Sequence, residues 1–281
     1  MKLYQILIFL AILTVGNACR TVVDWELESA PEKLTIESYI SDRSEPWKVQ
    51  LTRTRDYFDN EEADAVASAF VTISDDQGNV DTLQHNGDGE YWSDGVRQCI
   101  RGREYTLNVE FEGKNYSATE LCRDQLPVDT LFYFYQPTRN GFIDVGYYVF
   151  ELAQEIAPPG DYYQWRIFRN DTLLDDFGYI LDTDEFADFS FFNSNIDLEN
   201  ITLEYLPRPF PFDFQVGDEV IMEQWCINKN FYDYLIEVTN QYNRAGSPFD
   251  SPPANPTGNI AGAYGYFAVY SNERKELTIT E

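Results

Sequence analysis

The sequence predicts a mainly β protein built from two immunoglobulin-like β-sandwiches, the second carrying one α-helix near its C-terminal end. Three observations predict it. Aromatic residues make up 16% of the chain, with Tyr and Phe at 20 each, and such side chains suit a pleated, half-buried surface. Apolar and polar residues alternate in short runs, the period of a strand with one buried face. Gly, Asn, Asp and Pro interrupt those runs about every 8–12 residues, the spacing of sandwich turns.

The elements follow in order. Met1-Lys2, the apolar stretch Leu3–Val15 and Gly16-Asn17-Ala18-Cys19 have the layout of a lipoprotein signal peptide. A charged start, a short apolar core and small residues before the cut are what the export machinery reads, whereas a membrane-spanning helix needs about 20 apolar residues. Residues 1–18 would be removed and Cys19 would carry lipid. An ordinary cleaved signal ahead of a chance cysteine is the alternative, since Gly16 stands where such signals usually have Leu. Residues 19–32 are polar, acidic and without period, a tether.

Residues 33–125 read as the first sandwich. Leu34–Ile40 and Trp47–Thr52 alternate, Ala69–Ile73 and Val80–Leu83 flank the turn Asp75-Asp76-Gln77-Gly78-Asn79, and Asn86-Gly87-Asp88-Gly89 precedes Tyr91-Trp92. Glu104–Phe111 and Asn115–Leu121 form a hairpin around Glu112-Gly113-Lys114. That hairpin returns Cys99 and Cys122 to one open end, which predicts a disulfide between them. Cys226 is then expected as a small buried apolar residue.

Leu126-Pro127-Val128-Asp129 marks the boundary, and residues 126–281 form the second sandwich. Leu131–Tyr135, Tyr147–Leu152 and Tyr162–Phe168 are aromatic strands, and Pro158-Pro159-Gly160-Asp161 turns between the last two. Residues 170–216 look irregular, and Glu219–Ile227 is a further strand. Phe231, Tyr234, Leu235, Val238 and Tyr242 recur at helical spacing, predicting a helix over 229–244 with Asn228 able to cap it and Gly246 and Pro248 ending it. Tyr264–Tyr270 closes the fold as a strand.

Charge and catalytic inventory narrow the function. Asp and Glu number 48 against 20 Lys and Arg, a net charge of -28, so nucleic acid and anionic lipid are poor partners. The single histidine, His85, lies beside a turn, which argues against histidine-based hydrolysis. Zinc-type histidine pairs, a phosphate-binding loop and a dinucleotide fingerprint are missing from the sequence. No enzyme activity and no cofactor are expected. Asp182, Asp184 and Asp188 are weak calcium candidates, as are Asp75 and Asp76 near Asp81, because loop carboxylates suit that ion, but solvated acidic loops are the plainer explanation. Phe186, Phe189, Phe191, Phe192, Phe210, Phe212 and Phe214 crowd one irregular segment, which either fills its own core or forms a partner surface. The partner surface is the expectation.

Several segments carry a resemblance. They are Cys19, Ile36-Glu37-Ser38-Tyr39-Ile40-Ser41-Asp42, Thr72–Gly78, Gly102–Leu107, Tyr163-Gln164-Trp165-Arg166, Gly246–Asp250, and Gly258-Asn259-Ile260 before Gly265-Tyr266-Phe267. In order and spacing the set resembles the outer-membrane lipoproteins of Bacteroidota known as domain-of-unknown-function 4249, over nearly all of the mature chain. The resemblance implies a lipid-anchored protein of the outer membrane, facing the cell surface, beside a SusC-type TonB-dependent barrel. Its role there would be substrate capture or that of a structural subunit. A subunit of a larger outer-membrane assembly or secretion complex is the second expectation. A free-standing glycan binder using Trp47, Trp92 or Trp165 is the third.

Overall fold

A computed structural model describes residues 31–55, 63–124, 127–139, 145–153, 160–174, 180–183, 213–242 and 255–281. Among the described residues the chain is mainly β, as the composition predicts, with one helix near the C-terminal end. Residues 32–281 form one compact unit.

Seven strands come from the first half: β1 Leu34–Ser41, β2 Lys48–Arg53, β3 Phe70–Asp75, β4 Val80–His85, β5 Glu90–Trp92, β6 Glu104–Phe111 and β7 Lys114–Leu121. Strict alternation of buried and exposed positions along β6 and β7 puts Tyr105, Leu107, Val109, Tyr116 and Ala118 into a core shared with Ile36, Val49, Leu51 and Val71. The β6–β7 turn is made by Glu112 and Gly113 at φ 50° and 71°, the left-handed pair that matches strand twist in a two-residue hairpin. Asp75 organises the β3–β4 turn, its carboxylate accepting from the Gln77 and Asn79 amides at 3.0 Å each. Cys99 and Cys122 are disulfide-bonded as expected, with Cα atoms 6.3 Å apart. Cys226 is fully buried outside the disulfide.

Seven more strands come from the second half: β8 Val128–Gln136, β9 Gly146–Ala153, β10 Tyr162–Arg169, β11 Thr172–Leu173, β12 Ile180–Thr183, β13 Glu219–Ile227 and β14 Phe267–Thr278. β8 starts at Val128, so part of the expected linker is strand. The expected irregular stretch from 170 contains β11, reached through Asn170 and Asp171 at φ 51° and 63°, and β12. β14 starts later than expected and runs eight residues further. The cause is β13, buried at every position after its first; a strand enclosed on both faces needs a neighbour on each edge, and β10 and β14 supply them.

The hydrogen-bonded path runs β11-β10-β13-β14-β1-β2-β5-β4-β3-β6-β7, with β12 also on β10 and β8–β9 as a separate pair. β14 joins the two halves by changing partner midway. Phe267–Tyr270 lie parallel to Ser38–Ser41 of β1, and Ser271–Thr278 lie antiparallel to β13. One hydrophobic cluster gathers buried residues between Leu34 and Cys122 together with Ile260, Phe267 and Val269, and a second gathers residues between Val128 and Ile279.

Helix α1, Lys229–Tyr242, packs Phe231, Tyr234 and Leu235 against Tyr162, Trp225, Ile227 and Tyr266. Asn228 does more than stand at its start: its side-chain amide donates to the Leu121 carbonyl at 2.9 Å, tying the helix to β7.

Candidate functional site

Two polar groups stand out against these apolar cores. The first is where the halves meet. Asn259 donates to the Phe267 carbonyl (2.8 Å) and accepts from the Phe267 amide (3.0 Å), so one side chain imitates a strand partner for β14. Its amide and the Tyr266 hydroxyl both donate to Glu120 Oε1, at 3.0 and 2.9 Å. Glu120 is 7% exposed. Burial pushes its carboxyl up, and the bonds from Tyr266, Asn259 and Asn228 pull part of that back. Burial and the neighbouring Glu120 charge likewise push the Tyr266 phenol up.

This arrangement sets a pH dependence with a definite sign. A carboxyl whose folded pKa is raised binds a proton more readily in the folded chain, so its contribution is complete below 4.5 and is lost as pH rises through the higher folded value. Glu120→Gln keeps an acceptor for Tyr266 and removes the buried charge. It is expected to melt above the parent at neutral pH, with the gap closing toward pH 4.5. Melting curves across that range check it, and a gap that does not vary with pH contradicts it.

The second group lies on the helix-bearing face of β10–β13–β14. Residues opposite one another in antiparallel ladders share a face. The register therefore lines up Arg166, Glu223 and Arg274 in one row and Gln164, Trp225 and Asn272 in the next. Glu223, 5% exposed, pairs with Arg43 from the loop after β1 and stands 4.0 Å from Arg274. Trp225 stacks on Tyr270 with centroids 4.0 Å apart and planes at 16°. The Arg166 guanidinium lies 5.0 Å from the Trp225 ring and 5.5 Å from Phe168. Asp42 accepts from the Asn272 amide and pairs with Arg101, which closes the loop end of the patch.

The residues singled out from sequence are distributed differently. Cys19, Phe186, Phe189, Phe191, Phe192, Phe210, Phe212, Asp184 and Asp188 lie outside the described residues, and the Asp182 backbone pairs with Tyr163 in β12. Phe214 is a correction: it is 1% exposed, bridges Tyr147 and belongs to the second core. It is a core residue because the chain returns to β9 there. Asp75 and Asp76 pair with Arg103, and Asp81 with Arg97. No cluster of three or more metal-ligand side chains occurs among the described residues. His85 leans on Tyr91, centroids 5.2 Å apart. Trp47 is buried edge-on to Tyr105, Trp165 packs on Tyr163, and Trp92 donates to Glu90 under Lys48.

Sequence reading missed the Arg166–Glu223–Arg274 row. The available signal was a charge inside otherwise apolar strands, Arg166 in Tyr162–Phe168 and Glu223 in Val220–Ile227.

The fold and these groups define a β-rich, disulfide-bonded protein without a recognisable catalytic constellation among the described residues. The chain belongs to the family described as domain of unknown function DUF4249, whose profile matches residues 20–276. No curated protein matches it.

Proposed function

We propose that this protein is a non-enzymatic lipoprotein of the outer membrane, held by acyl chains on Cys19 and facing the cell surface, that associates with a SusC-type TonB-dependent barrel. Its role there is substrate capture or structural support. One observation carries the reading: the family match opens at residue 20, directly behind the cysteine that closes the signal-like stretch. Residues 19–32 then serve as a tether to the first strand. We also read β1–β7 and β8–β14 as two immunoglobulin-like sandwiches joined through β14. The sole histidine, packed on Tyr91, supports a binding role over hydrolysis.

Affinity purification of the full chain from detergent-solubilised membranes is expected to recover one large β-barrel protein, together with a diacylated Cys19 terminus by mass spectrometry. Recovery of a many-component machine would favour the assembly-subunit reading instead. An unmodified chain found free in the periplasm would remove the proposal. Replacing residues 184–212 by a Gly/Ser segment is expected to release the barrel while leaving the melting of the β-core intact.

A further inference from the structure

The chain is strongly anionic, yet Arg166 makes no ion pair or hydrogen bond among the described residues. The other arginines show how unusual this is. Arg43 pairs with Glu223, Arg97 with Asp81, Arg101 with Asp42, Arg103 with Asp75 and Arg123 with Asp161. With 48 acidic residues available, most of the described arginines meet a carboxylate; Arg169 donates instead to the Asp213 carbonyl, and Arg166 is left with neither. The position is held rather than loose, because Trp225 and Phe168 both support the guanidinium plane, and such stacking pre-orients the fork that grips a carboxylate with two parallel bonds. Arg274, 44% exposed, adds a second guanidinium across Glu223. Glu223 is already matched by Arg43, so the row keeps net positive charge.

The adjoining row adds a second and independent observation. Gln164 is 3% exposed, and its Oε1 has no hydrogen-bond partner among the described residues. Asn272, on the other side of Trp225, has neither its Nδ2 nor its Oδ1 partnered among the described residues. A buried amide left this way is costly, and native chains normally satisfy it with protein, water or ligand. The two rows over three strands cover roughly 7 by 10 Å, given the strand spacing and rise. That is the footprint of one sugar ring. Hydroxyl groups, each able to donate and accept, suit amides that lack both donors and acceptors.

We propose that the Arg166–Glu223–Arg274 and Gln164–Trp225–Asn272 rows form a binding site for an acidic sugar, a hexuronate, whose carboxylate engages Arg166 and Arg274 and whose ring hydroxyls reach the Gln164 and Asn272 amides. This names a substrate class for the capture role proposed above and rests on that reading for its purpose, whereas the binding itself needs no partner.

Calorimetry on the purified full chain in detergent tests it with galacturonate and its trimer, galactose and acetate as the probes. Galacturonate and the trimer are expected to bind, with galactose and acetate weaker. Arg166→Ala is expected to weaken galacturonate by roughly tenfold or more, with Arg166→Lys intermediate and both variants melting like the parent. Equal binding of acetate and galacturonate would overturn the sugar assignment. Binding untouched by both Arg166→Ala and Arg274→Ala would overturn the location. A folded parent that binds no uronate leaves the amides to trapped water and ends the proposal. If the same preparation still recovers the barrel, the ligand assignment alone has failed.

Discussion

Gly265→Ala is expected to unfold the protein or leave it barely stable. Gly265 has φ +91°, a region that L side chains rarely enter, and a Cβ there would overlap the Ile36 carbonyl oxygen. That carbonyl belongs to the backbone of β1 and cannot rotate away as a side chain would. Gly258 shares the constraint, because its own Cβ would overlap the Gly265 carbonyl. Strain and backbone displacement together amount to about 4 kcal/mol, a large part of a typical folding stability of roughly 5–15 kcal/mol. Around the site, Tyr264 donates to the Leu34 carbonyl, while Ile36 and Ser38 donate to the carbonyls of Tyr264 and Tyr266. Any shift therefore loosens the parallel pairing of β1 with β14. Gly146→Ala is the control, since it meets only an Asp213 carboxylate oxygen at 3.9 Å and its φ is ordinary. Denaturant titration of both variants checks the contrast, and a Gly265→Ala variant as stable as the parent would refute it.

The second large effect is expected from removing the disulfide. Cys99 and Cys122 are 23 residues apart, and closing a loop of that size restricts the unfolded chain by about 3 kcal/mol in the chain-entropy treatment. The bond also fastens the loop preceding β6 to the end of β7, next to backbone bonds from Gly102 to the Cys122 carbonyl and from Cys122 to the Arg103 carbonyl. The double Ala variant, or the parent under reductant, is expected to lose that amount in equilibrium unfolding. Thiol titration of the denatured, unreduced parent should find Cys226 reactive and the Cys99 and Cys122 sulfurs unavailable. An unchanged unfolding midpoint would mean that the bond contributes little.

Local chemistry explains what could be read without coordinates. The β6–β7 hairpin carries its own instruction, because Glu112-Gly113 can adopt the required backbone and both flanks alternate. The Cys99–Cys122 bridge follows from that hairpin. Helix α1 is legible from its apolar stripe, although Asn228 spends its side-chain amide on Leu121 and Val269. Long-range pairing leaves no such mark. Nothing near Ser38 or Phe267 announces that they are opposite each other, so the route of β14 and its full length stay hidden. Phe214 misleads for a related reason: a phenylalanine among phenylalanines looks the same whether it faces solvent or core, and only the bridge to Tyr147 decides. The rows through Glu223 and Trp225 depend on the register of three strands distant in sequence. In the other direction, the structure explains residues that the resemblance merely grouped. Gly258, Asn259, Gly265 and Tyr266 belong together because they make one backbone crossing and one buried polar contact with Glu120.

The change of partner along β14 has a consequence for how the molecule is made. On the proposed export route β1 emerges early, yet the edge that β1 offers is filled by a strand that follows long after it in the chain. Until then β1 and β13 each keep an open edge, the kind of backbone that recruits a neighbouring chain. On that route both halves close only when β14 pairs, so chaperones that shield extended segments are expected to matter more for this protein than for one whose halves close separately.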